Sequence, residues 1–198
     1  MTPDLLLAAC AFAFVSSITP GPNNTMLLAS GVTHGFVRTV PHLLGVNLGF
    51  AFLVLATGLG LGGLFLSVPG AQTALRWIGA AYLLRLAWKI ARAAPADVDG
   101  ASGHPMSFVE AAAFQWVNPK AWIMAIGAIA TYLPADAGLP ALAVLTLVFA
   151  VINAPCVALW AGFGAALRRL FTDPRLARAF NLAMAALLVL SLAPLLVA

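Results

Sequence analysis

The sequence predicts an all-α integral membrane protein. Its six transmembrane helices are expected to form two inverted three-helix repeats, with helices 1 and 4 broken near the membrane midplane. Three observations predict this fold: the composition, the number of apolar segments, and two proline-bearing interruptions at corresponding positions. Of the 198 residues, 63% are hydrophobic and only 8% are charged, at a mean hydropathy of +1.01. A soluble domain carries charge on roughly a quarter of its residues, so the bilayer is the expected solvent for this chain.

Six segments of the chain are apolar and long enough to cross a membrane. A helix needs about 20 apolar residues to cross a hydrocarbon layer about 30 Å thick. The segments lie at about 5–32, 43–66, 70–91, 106–133, 139–167 and 177–197. The third is the weakest, because Arg76, Arg85 and Lys89 interrupt it. Their long side chains lie toward its two ends and can reach opposite membrane surfaces.

A polar connection at 92–105 divides the chain into two halves of three spans each. We therefore interpret residues 1–198 as one domain, with repeat one at about 1–92 and repeat two at about 106–198. Because each half has an odd number of spans, the two halves must insert in opposite orientations. This layout predicts the inverted repeat.

The basic residues predict the orientation in the membrane. Apart from Lys120, which lies inside a span, eight of the nine Lys and Arg residues flank the connections after spans 1, 3 and 5, and Arg76 alone lies on the other side. Cytoplasmic loops are rich in Lys and Arg, so these connections are predicted to be cytoplasmic and both termini to lie outside. This distribution accounts for the net charge of +4. Without a basic patch interleaved with aromatic residues, no nucleic-acid partner is expected.

Two spans are interrupted at corresponding positions. In the first, "TPGPNN" at 19–24 follows a largely apolar stretch of 14 residues, Leu5–Ile18, and in the fourth, "NPK" at 118–120 has 12 residues of the span before it and 13 after it. Proline removes a backbone donor and disrupts the preceding turn. The freed backbone groups are costly in hydrocarbon unless they are buried in protein or line a polar cavity. Two matched breaks therefore predict a substrate site where discontinuous helices meet.

Lys120, inside the fourth span, is the most informative single residue. A cation at the bilayer centre costs at least about 2.5–3.5 kcal/mol. It needs a carboxylate or helix-end carbonyls, and no acidic residue lies mid-span. A substrate carboxylate would serve; the alternatives are that Lys120 binds carbonyls freed by Pro119 or extends to the membrane surface. The predicted substrate-binding residues are Pro20, Gly21, Pro22, Asn23, Asn24, Asn47, Gln115, Asn118, Pro119, Lys120 and Asn153.

Some of these polar residues have a purely structural alternative. Asn47 and Asn153 lie inside spans 2 and 5, where asparagines often hydrogen-bond between helices. For coupling to protons, Glu110 and His42 are the candidates. Glu110 could instead be a carboxylate at a helix N-terminus, favoured by the helix dipole. His42, at the mouth of span 2, could instead be a solvated interfacial histidine.

Several motifs together resemble one family of membrane proteins. They are "TPGPNN" (19–24), the glycines at 31, 35, 45 and 49, "GAAYL" (79–83), "AWKI" (87–90) and "NPKAW" (118–122). In this order they resemble the LysE/RhtB amino-acid exporters, and within that family most closely the cysteine/O-acetylserine exporter subgroup. The match runs over residues 1 to about 130, and six spans fit the remainder.

The resemblance implies an exporter of amino acids or close derivatives in the bacterial inner membrane, driven by the proton gradient. The family's motif positions fall on Pro20, Gly21, Pro22 and Asn23, and on Asn118, Pro119 and Lys120. Glu110 departs from the family pattern, which often has glycine there after a basic residue. Since no membrane acid is available to pair a cationic side chain, a small neutral amino acid is the expected substrate.

Two other classes of function are alternatives to a transporter. A passive small-solute channel would use the breaks as a filter. An intramembrane enzyme would need convergent catalytic groups, and the spans contain no HExxH, no GxSxG and no paired carboxylates. We therefore expect no enzyme activity, no metal and no cofactor. The GxxxG pairs Gly45/Gly49 and Gly58/Gly62 could pack within the bundle or form a homodimer seam.

Overall fold

The computed structural model describes residues 1–92, 104–134, 138–168, 170 and 173–192, and its regular elements are helices. The prediction of an all-α protein is confirmed over these residues. Residues 93–103 of the predicted polar connection, and residues 193–197 of the sixth predicted span, lie outside them. The helices are α1 (Pro3–Ile18), α2 (Pro22–His34), α3 (Phe36–Ala56), α4 (Gly62–Ser67), α5 (Ala71–Ala91), α6 (Phe108–Phe114), α7 (Pro119–Tyr132), α8 (Leu139–Leu167) and α9 (Pro174–Leu190).

Proline begins most of these helices rather than breaking them. It stands in the first turn of α1, α2, α7, α8 and α9, where its missing N–H would have no partner in any case. Three of these helices also have a side-chain N-cap. Thr2, Asn118 and Asp173 each accept a hydrogen bond from a backbone amide of the following turn. The sequence thus specifies where these helices start as well as where the spans break.

By length and composition, two stretches of the described chain qualify as membrane spans, Phe36–Ser67 and Leu139–Leu167. A third is added if α1 and α2, which meet at an angle of 52°, form one broken span. Helices occupy the other three predicted positions without meeting these criteria. The reasons are the three cations in α5, the break between α6 and α7, and the 17-residue length of α9. The count of six spans therefore stays a prediction.

The second predicted span differs from its expected form at its start and in its interior. Gly35 adopts a left-handed φ of 77° between α2 and α3, so α3 begins at Phe36 rather than near residue 43. A wide turn at Thr57–Leu61, where Gly60 has φ 112° and ψ −10°, then separates α3 from α4. The glycine-rich sequence permits both departures, because other residues rarely adopt these angles.

Helices α3 and α8 form the centre of the bundle. Helix α8 contacts α1, α2 and α3, helix α3 also contacts α6 and α7, and α5 packs against α9. Close approach depends on small residues. A Cβ at Gly31 of α2 would overlap the Ala161 carbonyl oxygen of α8, and a Cβ at Gly164 of α8 would overlap the Leu28 carbonyl oxygen of α2. The first broken span is thereby held tightly against α8.

The glycines of α3 make an equivalent contact with α6. A Cβ at Gly45 would overlap the Phe108 carbonyl oxygen, and one at Gly49 would lie 2.6 Å from the Ala112 Cα. Of the two alternatives for this GxxxG pair, the structure therefore supports packing within the bundle. These two contacts join α2 to α8 and α3 to α6.

Candidate functional site

The first break consists of Thr19, Pro20 and Gly21, between α1 and α2. Side chains satisfy the carbonyl groups that α1 leaves free at its end. The Asn24 amide donates to the Ser17 and Thr19 carbonyl oxygens, at 2.8 Å each, and the Trp160 indole donates to the Ile18 carbonyl oxygen at 3.1 Å. Helix α2 then begins at Pro22 without a side-chain N-cap. The carbonyl groups at the end of α1 are thus hydrogen-bonded by side chains from α2 and α8.

The second break is a single 3-10 turn, Gln115–Val117, followed by Asn118. Asn118 Oδ1 accepts a hydrogen bond from the Lys120 backbone amide at 3.2 Å and thereby caps α7. The Trp122 indole donates to the Trp116 carbonyl oxygen at 3.0 Å. Gln115 and Asn118 are both fully buried, at 0% and 1% exposure. The second break is therefore a compact turn inside the protein.

A reciprocal amide pair joins the two breaks. Asn23 Nδ2 donates to Gln115 Oε1 at 2.9 Å, and Gln115 Nε2 donates to Asn23 Oδ1 at 3.1 Å. Gln115 Nε2 also donates to the Ala111 carbonyl oxygen at 2.9 Å. The sequence named both residues as candidates, but their pairing across 92 positions could not be read from it.

Lys120 reaches from the start of α7 to the first break. Its Nζ donates to the Thr19 carbonyl oxygen and to Thr19 Oγ1, both at 3.0 Å, and to the Pro20 carbonyl oxygen at 3.2 Å. Two of these acceptors are carbonyls near the end of α1. The expectation that Lys120 uses carbonyls freed by Pro119 is therefore wrong, because the carbonyls it contacts belong to the other break. Its extension toward the membrane surface is not observed either.

A second amide pair connects α3 and α8. Asn153 Nδ2 donates to Asn47 Oδ1 at 2.8 Å, and both residues are buried. This contact fits the structural alternative for both asparagines, since interhelical amide bonds stabilise membrane bundles.

A small cavity lies where the two breaks meet. Its volume is about 30 Å³. Since one water molecule needs about 10–15 Å³ of such space, the cavity has room for about two waters and not for an amino acid. The cavity would have to enlarge to hold such a substrate. The lining residues are Ser16, Ser17, Gly21, Asn23, Asn24, Phe50, Asn118, Lys120, Ala121, Met124, Asn153 and Val157.

Six of the eleven predicted substrate-binding residues line this cavity, namely Gly21, Asn23, Asn24, Asn118, Lys120 and Asn153. Gln115 and Asn47 lie behind them, paired with Asn23 and Asn153. The prolines at 20, 22 and 119 shape the breaks without lining the cavity. Ligand binding by any of these residues stays a prediction.

Sequence reasoning missed part of the lining. Ser16 and Ser17, in the last turn of α1, were overlooked although they are polar residues directly before the break. The Ser17 hydroxyl is buried and has no hydrogen-bond partner among the described residues. Phe50, Met124 and Val157 gave no signal, because apolar residues in apolar spans carry none.

The two coupling candidates lie away from this cavity. Glu110 is exposed and forms a capping box with Ser107: the Ser107 amide donates to Glu110 Oε2 at 2.8 Å, and the Glu110 amide donates to Ser107 Oγ at 3.2 Å. This fits its alternative as an N-terminal carboxylate. His42 is not a solvated interfacial residue, since it is only 2% exposed. Because α3 begins at Phe36, His42 lies about two turns inside the helix.

No set of three or more His, Cys, Asp or Glu side chains within the described ranges could hold a metal ion. What the cavity presents is amides, a hydroxyl without a partner and one ammonium group. Such a set can bind a small polar molecule by hydrogen bonds and charge.

The chain is similar to a known family of membrane transporters. The model of the LysE type translocator family matches residues 14–197. Similar proteins include the cysteine/O-acetylserine efflux proteins of Escherichia coli O157:H7, Escherichia coli strain K12 and Shigella sonnei strain Ss046. Each is 36% identical over 191 residues, which cover 96% of this chain and 96% of the relative. No solved structure matches the chain.

Proposed function

The chain belongs to the LysE family of translocators, and from that premise we propose that it exports small neutral amino acids or their derivatives across the bacterial inner membrane by proton antiport. As a member of this family it is a membrane amino-acid efflux transporter and not an enzyme. The observation that carries the finer proposal is the cavity between the two breaks, with its amides and Lys120.

The substrate class follows from the charges around the cavity. Lys120 is the one charged residue among the described residues that line it. A cationic side chain on the substrate would find no carboxylate there, whereas a small zwitterion can use the amides and the helix ends. The names of the relatives, which are cysteine/O-acetylserine efflux proteins, support a substrate of this size and charge.

The proposed mechanism is alternating access, and the small volume of the cavity means that the site must enlarge to take up substrate. Six spans in two inverted repeats would let the halves rock against each other around the breaks. The pairing of α2 with α8 and of α3 with α6 supports this arrangement, since each pair joins the first span of one half to the second span of the other. The Asn23–Gln115 pair would separate when the site opens, because it bridges the halves.

The experiment is a flux assay with purified protein in proteoliposomes. The panel is radiolabelled cysteine, O-acetylserine, homoserine, threonine, leucine and lysine. A vesicle lumen more acidic than the bath should drive saturable accumulation of a neutral amino acid, because protons leave as substrate enters. A protonophore should abolish the accumulation, and lysine should not accumulate.

Two matched variants test whether gradient-driven flux depends on the charge of Lys120 in the cavity. Lys120→Gln should remove gradient-driven flux, whereas Lys89→Gln removes the same charge from the exposed surface of α5 and should leave flux unchanged. Flux in wild type that neither saturates nor responds to the gradient would contradict antiport and indicate a passive pore.

The same membrane insertion predicts both termini outside. Reporter fusions at each terminus, active only on one side of the membrane, test this orientation. A cytoplasmic terminus at either end would contradict the positive-inside assignment.

A further inference from the structure

The ammonium group of Lys120 is fully engaged at the first break. An ammonium has three N–H donors, and the three oxygens within reach of Nζ belong to Thr19 and Pro20. Lys120 therefore has no donor left for a substrate carboxylate while this arrangement persists. The contacts of Lys120 show instead which chemical group the oxygens of the first break hold in this structure.

The oxygens of the first break hold a primary ammonium, that of Lys120, in this structure. The Thr19 and Pro20 carbonyls follow the last turn of the 16-residue helix α1, where the helix dipole places negative partial charge. Thr19 Oγ1 adds a third acceptor. Thr19 and Pro20 are exposed, so the acceptors are accessible from outside the packed core.

On the basis of the proposed function, we propose that these three oxygens form the subsite for the α-ammonium group of the substrate, and that Lys120 occupies it as a tethered competitor when substrate is absent. An incoming amino acid displaces the Lys120 ammonium from Thr19 and Pro20. Lys120 is thus a coupling residue and not the ligand of the substrate carboxylate.

Displacement requires Lys120 to give up its proton. The described residues lining the cavity offer no carboxylate: α1 contributes Ser16 and Ser17, α2 two asparagines, α3 Phe50, and α8 Asn153 and Val157. A second cation beside the substrate ammonium would have lost its three hydrogen-bond acceptors inside a predicted membrane span, which is costly. One proton therefore passes from Nζ to water on the side from which the substrate enters. Lys120 takes one proton back on the opposite side after release, so one proton moves inward for each zwitterion exported.

The opposite end of the break suits the substrate carboxylate. Helix α2 begins there with its positive dipole end and no side-chain cap. The Ser17 hydroxyl, only 4% exposed and without a partner among the described residues, lines the same cavity. Amides of α2 and this hydroxyl would hold the carboxylate while the α1 carbonyls hold the ammonium.

The test uses exchange of labelled against unlabelled cysteine in reducing buffer without a pH difference, and accumulation of cysteine with one. Lys120→Met should keep exchange but lose pH-driven accumulation. Cysteamine, which has the ammonium and lacks the carboxylate, should inhibit wild-type exchange, and 3-mercaptopropionate, which has only the carboxylate, should not. In Lys120→Met the inhibition constant of cysteamine should fall about tenfold, because the internal competitor is gone.

A second variant tests the proposal even if Lys120→Met does not fold. Lys120→Arg keeps a permanent cation that can bind the same carbonyls and cannot release its proton, so it should slow both exchange and accumulation about tenfold or more. If Lys120→Arg accumulates cysteine like wild type, the coupling role is wrong. If 3-mercaptopropionate is the better inhibitor and loses its effect in folded Lys120→Met, Lys120 binds the carboxylate and the proposal is overturned.

The two proposals fail in different ways. If wild type shows no pH-driven flux of any amino acid, the proposed antiport is contradicted. The ammonium subsite can then still be tested by measuring whether cysteamine raises the thermal stability of the wild-type protein. Normal wild-type coupling that survives in Lys120→Met contradicts only the role of Lys120. If another amino acid of the panel replaces cysteine as the transported substrate, its decarboxylated and deaminated analogues replace the two inhibitors.

Discussion

Apart from the Asn23–Gln115 pair, the hydrogen bonds of the second break are local, whereas side chains of three other helices bond to the carbonyls of the first break. Asn118 caps α7 from the position directly before it, and Gln115 bonds to the Ala111 carbonyl one turn earlier. The carbonyls of the first break are taken by side chains of α2, α7 and α8. The surroundings differ as well, since Asn118 and Gln115 are buried while Thr19 and Pro20 are exposed.

Because of this difference, we expect the two breaks to have different roles in the transport cycle. Bonds within one short segment form and break only with that segment, so the second break is expected to stay intact through the transport cycle. Bonds from other helices can be exchanged when those helices move, so the first break is expected to change partners. Substitutions that disturb the turn at 115–118 should therefore reduce stability, and those that disturb the contacts of Thr19, Pro20 and Gly21 should alter transport.

The largest expected effect on stability is that of Gly79→Ala, which affects the second break. A Cβ at Gly79 in α5 would overlap the Val117 carbonyl oxygen, and backbone cannot move aside cheaply. We expect the free energy of unfolding to fall by about 2–3 kcal/mol, measured by SDS titration in mixed micelles. Gly127→Ala is the control, since no atom lies within 4 Å of its added Cβ. Equal stability of the two variants would mean that α5 does not fix the second break.

Gln115→Leu removes the bridge between the breaks. It leaves the Asn23 amide unpaired, and the free energy of unfolding should fall by about 2 kcal/mol. The double variant Asn23→Ala/Gln115→Leu should recover part of this loss, because both polar partners are then gone. The same unfolding titration measures the four members of the cycle. Strict additivity would show that the two amides are not coupled.

Asn118→Ala removes the cap of α7. Loss of an N-cap costs about 1 kcal/mol, and we expect a decrease of that size in the free energy of unfolding. Asn118→Ser retains a capping oxygen and should lose only a few tenths of that amount. If the two variants unfold alike, Asn118 acts through the cavity and not as a cap.

Gly21→Ala should have the smallest effect on stability and a distinct effect on transport. Its Cβ would lie 2.8 Å from Lys120 Cδ and 3.0 Å from Nζ, which a flexible side chain can avoid. The free energy of unfolding should change by less than about 1 kcal/mol. The pH-driven accumulation should fall severalfold, because the Lys120 side chain is displaced from its contacts with Thr19 and Pro20. Gly63→Ala, with no atom within 4 Å of the new Cβ, should change neither. A Gly21→Ala protein as unstable as Gly79→Ala would contradict the division of tasks between the breaks.

The breaks themselves could be predicted from the sequence, and their connections could not. Prolines and glycines act on the adjacent backbone, so "TPGPNN" and "NPK" mark the interruptions directly. The need of Lys120 for helix-end carbonyls also followed from the cost of a buried cation. Which carbonyls it contacts depends on how α7 packs beside α1, and no local pattern encodes that.

Burial of single polar residues was equally hard to foresee. His42 was expected at a membrane surface because the second span was predicted to begin near residue 43, and the earlier start of α3 placed it inside the helix. Glu110 and Ser107 form a capping box whose spacing was present in the sequence and was overlooked. The serines before the first break became notable only once the cavity was known.

A tryptophan side chain contacts the backbone at each break. The Trp160 indole donates to the Ile18 carbonyl at the end of α1, while Trp122 donates to the Trp116 carbonyl within the second break. Indole emission responds to the loss of such a bond and to contact with water. A protein retaining Trp160 alone among its five tryptophans would report optically on the first break, and one retaining Trp122 alone would report on the second. Rapid mixing of each with substrate would time the two breaks separately and show in which order they move.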